Sequence, residues 1–367
     1  MTSRHLLRTA MYAFLLQPAL TLAIEDAPEM LEASSIQMGT LAQPIAKPKP
    51  EYPRDLLVKR KEGYVELSYV ISPEGTVSNV VVNDIIGPKI LGAEAKRAVE
   101  KWTFTPATWQ GQPVQQCSNQ VAISFVLSPK QSGGSPKHVR QYKEINVLID
   151  QGNHSAAADA LDKIFDDELN QYEHGFFNIQ RARLAHAQNL PNTEHYYLQR
   201  AAVGEKILGR AVSREILTKL FVAEVNSGNF AEAMETYEQL RKHSAQIDDW
   251  QLYESRYAQI VATRDGADIL VTQGQIHDAG ESEDSFWRHS LLRRSVEFAE
   301  IQGKLDKFEF RCDRKYFTDK VATDRNWAVP ESWGQCEVFV YGEPSTSFKL
   351  VEPPPTQPAA GESDSNS

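Results

Sequence analysis

The sequence has few cysteines, no excess of basic residues and, beyond its first 23 residues, no apolar run approaching the length of a membrane span. With 3 cysteines in 367 residues, a disulfide-dense scaffold is excluded. The net charge of −10 argues against nucleic acid and anionic membrane surfaces as partners, because both attract clustered Lys and Arg. A chain of this length is expected to form two or three domains, each with its own core.

Signatures of common enzyme and cofactor sites are also missing. The sequence contains no G-x-S-x-G, H-E-x-x-H, Walker A or G-x-G-x-x-G pattern. Its nine histidines are scattered, and its three cysteines have no zinc-binding spacing. We therefore expect a non-enzymatic protein with no catalytic residue, no cofactor and no metal. The alternative from another class is an envelope hydrolase whose site is not recognisable.

The N-terminus has the pattern of a secretory signal peptide, residues 1–23. Arg4 and Arg8 precede a largely apolar stretch, Ala10 to Ala23, which ends in a plausible cleavage site. The stretch is short for a bilayer span, and Gln17-Pro18 interrupts it. We expect cleavage, which leaves a mature chain that does not span the membrane. The alternative is an uncleaved anchor.

Export would bring the chain into an oxidising compartment, where disulfides form and persist. Cys312 and Cys336 each border an apolar, strand-like run, so a disulfide between them is plausible. Cys117 is left over. We interpret it as a small buried apolar residue rather than a reactive thiol.

Composition and periodicity divide the rest of the chain and predict a multidomain α+β protein. The predicted segments are a linker at 24–49, a small α+β domain at 50–127, a second linker at 128–138, a helical repeat at 139–265, a β-rich domain at 267–351 and a disordered tail at 352–367.

In the predicted helical region, apolar residues recur at spacings of three and four, and Gly152, Asn189 and Gly228 interrupt them. These breaks lie 37 and 39 residues apart. The recurrence resembles tetratricopeptide-like helical hairpins. After residue 267 the period shifts toward two, which predicts strands.

Residues 50–127 carry the most specific pattern. Tyr52-Pro53 opens a short helix, and alternating apolar residues from Val65 to Ile71 predict a strand with one apolar face. Ser72-Pro73-Glu74-Gly75 has the composition of a turn that joins antiparallel strands. A helical stripe from Leu91 to Trp102 follows. A last alternating run ends at Leu127, which predicts one antiparallel sheet covered by helices.

This ordered set resembles the C-terminal domain of the TonB family. The matching motifs are Tyr52-Pro53, Gly63-x-Val65, Pro73-x-Gly75, Ala98-x-x-x-Trp102-x-Phe104-x-Pro106 and the closing strand. The resemblance implies that the domain binds a short extended segment of an outer-membrane receptor by strand addition. Carried to this chain, the implied partner-binding residues are Lys49, Pro50, Glu51 and Tyr52, with Val114, Val121 and Ile123 on an edge strand running from Val114 to Leu127.

We therefore expect a periplasmic adaptor that binds a protein or peptide partner in envelope transport or assembly. The nearest alternative is a membrane-anchored TonB energy transducer for outer-membrane receptors. Family members of that kind have a long spacer across the periplasm, whereas an extended 24–49 segment reaches only about 80 Å. The sequence does not name the partner.

Overall fold

The N-terminal region is built around a three-stranded antiparallel sheet. The computed structural model describes residues 39–127, 133–164, 169–202, 205–276 and 285–355. The predicted signal peptide, residues 24–38 of the first predicted linker, residues 128–132 of the second and the tail from residue 356 lie outside the described residues. The N-terminal elements are β1 Gln43–Ala46, α1 Arg54–Val58, β2 Gly63–Ile71, β3 Val77–Ile86, α2 Ile90–Val99, β4 Thr103–Thr105, β5 Ala107–Trp109, β6 Gln112–Val114 and β7 Gln116–Phe125.

The sheet has the strand order β3-β2-β7, and α2 covers one of its faces. Alternate β2 side chains, from Val65 to Ile71, are buried against Leu91, Ala95 and Val99 of α2. Trp102 and Phe104 complete this core. Gly75 has φ +80° in the β2–β3 turn, where a side chain would be strained, and its carbonyl accepts a bond from the Phe104 backbone N–H at 2.8 Å. The predicted α+β fold of this region is confirmed.

Two details of the predicted strands are wrong. Gln110 and Gly111 have positive φ and turn the chain back, so Val114 pairs with Ala107 in the β5–β6 hairpin. The edge strand therefore begins at Gln116 and not at Val114. In addition, β1 lies inside the predicted 24–49 linker, because backbone pairing with β4 needs no apolar period.

The middle of the chain is helical, as predicted. Its elements are α3 Pro136–Asp150, α4 His154–Leu161, α5 Gln171–Ala187, α6 Pro191–Ala201, α7 Glu205–Leu208, α8 Arg210–Ser227, α9 Phe230–Arg241 and α10 Trp250–Asp265. Gly152, Asn189 and Gly228 all have the positive φ that ends helices, so each separates the two helices of a pair. The tetratricopeptide assignment of these pairs stays a prediction.

The C-terminal region is a β-sandwich. Its strands are β8 Leu270–Gln275, β9 Phe286–Ser290, β10 Ser295–Gln302, β11 Leu305–Cys312, β12 Tyr316–Lys320, β13 Asn326–Ala328, β14 Cys336–Gly342 and β15 Ser347–Glu352. They form two antiparallel sheets, β13-β10-β15-β8 and β12-β11-β14-β9. Phe298 and Phe348 of the first sheet and Phe308 and Val338 of the second share one buried core.

A disulfide joins Cys312 to Cys336, which are directly opposite each other on β11 and β14. Both sulfur-bearing residues are buried in the sandwich core. The cross-link therefore fastens two neighbouring strands at one end of the second sheet.

Helices of membrane-spanning length and apolarity do not occur in the part of the chain that the structure describes.

Candidate partner-binding edge

The β7 strand is an edge of the N-terminal sheet. It pairs with β2 from Gly63 opposite Phe125 to Ile71 opposite Gln116. Within the described ranges, no strand pairs with its other side. An edge strand of this kind presents unpaired N–H and C=O groups that can bind an incoming strand.

A groove runs beside the C-terminal half of this edge. It has a volume of about 400 Å³ and separates β7 from the chain segment 47–50. The groove is lined by Lys47, Pro48, Lys49, Pro50, Tyr52, Trp102 and residues 121–126. Most of these side chains are apolar, so the groove offers both backbone hydrogen bonds and apolar contact.

The segment 47–50 is held away from β7 by Trp102. The indole Nε1–H donates to the Pro48 carbonyl at 3.0 Å, and the Lys47 ammonium lies 4.5 Å from the centre of the Trp102 ring. Pro48 and Pro50 have no backbone N–H, which limits the ability of this segment to pair with β7 itself. The edge is therefore left open between a fixed wall and the sheet.

Tyr52 also lines the groove. Its hydroxyl donates to the Lys61 carbonyl at 2.5 Å, and its ring packs edge-on against Phe125 with centroids 5.5 Å apart. Burial, with a smaller effect of Glu62, raises the pKa of Tyr52. The hydroxyl thus stays protonated and serves as a structural donor at neutral pH.

The structure brings together most of the residues implied by the family resemblance. Lys49, Pro50, Tyr52, Val121 and Ile123 all line the groove. Glu51 is exposed and Val114 lies in the hairpin, and neither lines it. Sequence reasoning missed Lys47 and Pro48, and it assigned Trp102 to the core alone. The Trp102 side chain is 6% exposed and belongs to the core and to the groove.

The N-terminal half of β7 and Gln115, which precedes it, are hydrogen-bonded to the β-sandwich. The Gln115 side chain accepts from the Tyr316 backbone N–H at 3.1 Å, and the Gln120 amide donates to Glu337 at 3.2 Å. The Ser118 hydroxyl donates to Asp313 at 3.2 Å. Gln115 and Gln120 therefore hold one region of the chain to another.

The rear face of the sheet, opposite α2, is held by charged contacts. Arg288 of β9 lies 3.6 Å from Glu66 of β2, and Arg200 of α6 pairs with Asp84 of β3. Burial raises the pKa of Asp84, and Arg200 opposes that shift. The helical region and the β-sandwich therefore contact the face of the sheet that α2 does not cover.

Cys117, on β7, is fully buried, as the sequence predicted. Burial raises the pKa of its thiol to about 12. A neutral thiol at this position is a small apolar side chain and a poor nucleophile.

Within the ranges that the structure describes, no group of three or more His, Cys, Asp or Glu side chains could hold a metal ion. The groove beside β7 is lined mainly by apolar side chains and two lysines.

Comparisons with known proteins agree with the pattern in this region. Residues 48–127 match the family described as the Gram-negative bacterial TonB protein C-terminal domain. The solution structure of the Pseudomonas aeruginosa TonB C-terminal domain is 23% identical to this chain over the aligned part, with a TM-score of 0.22. The alignment covers 24% of this chain and 87% of the Pseudomonas chain. The TonB2 protein from Vibrio anguillarum is 27% identical, with a TM-score of 0.21. The alignment covers 29% of this chain and 99% of the Vibrio chain. No curated protein matches the chain.

The family match covers the open β7 edge and every residue that lines the groove except Lys47. Residues 48–127 of this chain therefore match the TonB C-terminal domain family, and in the chain they are joined to a helical region and a β-sandwich.

Proposed function

We propose that this chain is a non-enzymatic periplasmic adaptor that captures an extended segment of an envelope protein by strand addition to β7. The observation that carries the proposal is the unpaired edge of β7 beside an apolar groove. The segment belongs to an outer-membrane receptor or another envelope protein with an exposed extended stretch.

Strand addition explains why the groove has this composition. Backbone bonds to β7 provide affinity for any extended chain, and alternate side chains of the bound segment enter the groove over Trp102, Val121 and Ile123. The open part, residues 121–126, matches a segment of about six residues, or about 20 Å. The bound segment should therefore carry apolar side chains at alternate positions.

The rest of the chain supports the adaptor role. Gln120, Glu66 and Asp84 fasten the rear of the domain to the β-sandwich and to α6. The edge is thus presented on a larger body, whose helix pairs provide a second surface for a partner.

Photo-crosslinking in cells tests the proposal. A photoreactive amino acid at Ser124, which is exposed in the groove, should cross-link to an extended segment of an envelope protein. The same amino acid at Glu74, exposed in the β2–β3 turn, is the matched control. Equal cross-linking from both positions contradicts recognition at the β7 edge.

Proline substitutions then separate backbone pairing from side-chain contact. Adjacent residues of a strand direct their N–H groups to opposite sides. Of Val121→Pro and Ala122→Pro, one removes an outward donor and the other a bond to β2. The outward variant should lose the cross-link while keeping its thermal stability. Retention of the cross-link in both variants, with the domain folded, excludes strand addition at β7.

The membrane-anchored energy transducer is the second candidate, and the apolar stretch Ala10 to Ala23 is the feature that favours it. N-terminal sequencing of the protein from cells distinguishes the two. A mature start near Ile24 removes the anchor, whereas an intact Arg4–Arg8 region retains it.

A further inference from the structure

A second cavity lies in the β-sandwich, away from the β7 groove. It has a volume of about 220 Å³ and is lined by the end of α10, the loop between β9 and β10 and the residues that precede β14. Three of its lining residues are Arg264, Arg293 and Arg294, and none is acidic. This composition is unexpected in a chain with a net charge of −10.

Arg293 forms the structural wall of this cavity. Its guanidinium donates to the carbonyls of Thr263, Arg264 and Gly266 at 2.7–3.1 Å, at the C-terminal end of α10. The end of a helix is normally a region of negative potential, and the buried cation neutralises it. The end of α10 therefore presents Arg293, and not bare carbonyls that would repel an anion, to the cavity.

Arg264 and Arg294 retain unused donors. Arg264 uses Nε and Nη2 to bind Asp265, and Arg294 uses Nη1 to bind the carbonyls of Pro330 and Gly334. Among the described residues, no acceptor is hydrogen-bonded to Nη1 of Arg264 or to Nε and Nη2 of Arg294.

Three carboxylates bonded to lining residues of the cavity have their partners outside the proposed ligand position. Glu352 accepts from the Arg293 backbone N–H at 2.6 Å, and Asp313 accepts from the Gln335 backbone N–H at 2.9 Å. Asp265 is paired with Arg264 and is largely exposed. Arg294 is hydrogen-bonded to carbonyls and to no carboxylate among the described residues, and guanidinium groups match the oxygens of phosphate and carboxylate.

We propose that this cavity binds a small oxyanion, a phosphate or carboxylate group, through Arg264 and Arg294. Its volume equals that of about seven waters, which is enough for such a group with some of its hydration. The site is independent of strand addition at β7, since none of its lining residues belongs to the TonB C-terminal domain.

Titration calorimetry of the full chain tests the proposal, with inorganic phosphate and succinate as separate probes at constant ionic strength. Saturable binding is expected with at least one probe at concentrations of about 10 mM or below. Preference for one probe identifies the group as phosphate or carboxylate. Lack of saturation by both probes overturns the proposal.

Three variants locate the site. Arg294→Gln and Arg264→Gln should each weaken binding about tenfold, because each removes a charge-assisted hydrogen bond. Arg325→Gln is the control, since Arg325 is an exposed arginine paired with Asp319 outside the cavity. Equal weakening in all three variants shows non-specific attraction and overturns the proposal. Thermal unfolding of each variant confirms that it is folded, and Arg293 is left intact because it caps α10.

Discussion

The two halves of β7, each taken with the residue that flanks it, differ in what surrounds them. Residues 121–126 line an open apolar groove, whereas Gln115, Ser118 and Gln120 are hydrogen-bonded to the β-sandwich. The same contrast separates the two faces of the sheet. The α2 face packs an apolar core, and the rear face meets the rest of the chain through ion pairs and amides.

This contrast shows how one strand can serve structure and recognition together. Polar contacts at the rear fix the position of the domain without using the backbone groups of the edge. The proline-containing segment 47–50 leaves that edge unpaired. Each of the following changes alters one side of the comparison, from the largest expected effect to the smallest.

Of these changes, Trp102→Ala should destabilise the protein most, because it removes packing from the apolar core on the α2 face of the sheet. The Trp102 ring packs edge-on against Tyr69 at 5.7 Å and holds Pro48 through its indole N–H. Its removal should lower the free energy of unfolding by about 3–5 kcal/mol, measured by urea denaturation. Trp109→Ala is the control, because Trp109 is 39% exposed. Equal losses in the two variants contradict the central packing role of Trp102.

Loss of the disulfide should weaken the β-sandwich while leaving the β7 groove intact. The double variant Cys312→Ala/Cys336→Ala opens a cross-link with a sequence separation of 24 and should lower the free energy of unfolding by about 3 kcal/mol. Thermal unfolding measures the loss, and photo-crosslinking from Ser124 should persist. If cross-linking disappears in a folded variant, the edge depends on the sandwich more closely than its contacts indicate.

Arg200→Ala should loosen the rear face. It removes the partner of Asp84, and we expect a loss of about 2 kcal/mol, which is less than for a fully buried pair because Asp84 is partly exposed. Hydrogen exchange should rise in β3. The exposed pair between Arg183 and Asp150 provides the control, and Arg183→Ala should cost less than about 1 kcal/mol. Unchanged exchange in β3 argues that Arg200 does not secure this face.

The smallest effect, when it is expressed per pH unit, concerns the contact between α9 and β9. The Nδ1 atom of His289 lies 3.0 Å from Glu232. Burial lowers the pKa of His289, but Glu232 and Glu352 outweigh it and raise the pKa to about 10. Burial raises the pKa of Glu232, but His289 outweighs it and lowers the pKa to about 2. Both groups are therefore charged at neutral pH in the folded chain.

The stabilisation from His289 is fully present below its ordinary pKa of 6.5 and is lost as the pH rises toward 10. That from Glu232 is present above 4.5 and is lost as the pH falls toward 2. Stability from this pair should thus be largest between pH 4.5 and 6.5 and fall above it by at most about 1.4 kcal/mol per pH unit.

Urea denaturation across pH 6–9 measures this slope. His289→Gln should flatten it, whereas His186→Gln should not, because His186 is 76% exposed. A slope that is unchanged in His289→Gln assigns the pH dependence to other groups.

The N-terminal fold was largely predictable because its signals are local. The alternation from Val65 to Ile71 and the stripe from Leu91 to Trp102 specify which faces become buried. Gly152, Asn189 and Gly228 marked the helix breaks, since left-handed backbone favours these residue types. The structure places the residues of the predicted site in different surroundings, and their role in binding stays a prediction. Val121 and Ile123 line the groove, whereas Val114 turns back into a hairpin.

The sequence by itself determined the order of elements, the faces of each helix and strand, and the TonB C-terminal motifs, because these depend on residues close together in the chain. Only the tertiary structure decided that β1 pairs with β4, that Arg200 meets Asp84, and that Gln115 and Gln120 bind the β-sandwich. The β1–β4 pairing is made by backbone groups, and the other contacts are made by polar side chains far apart in sequence. Neither kind of contact carries a period that indicates its partner. The difference between the half of β7 that is bonded to the β-sandwich and the half that lines the open groove is therefore visible only in the tertiary structure.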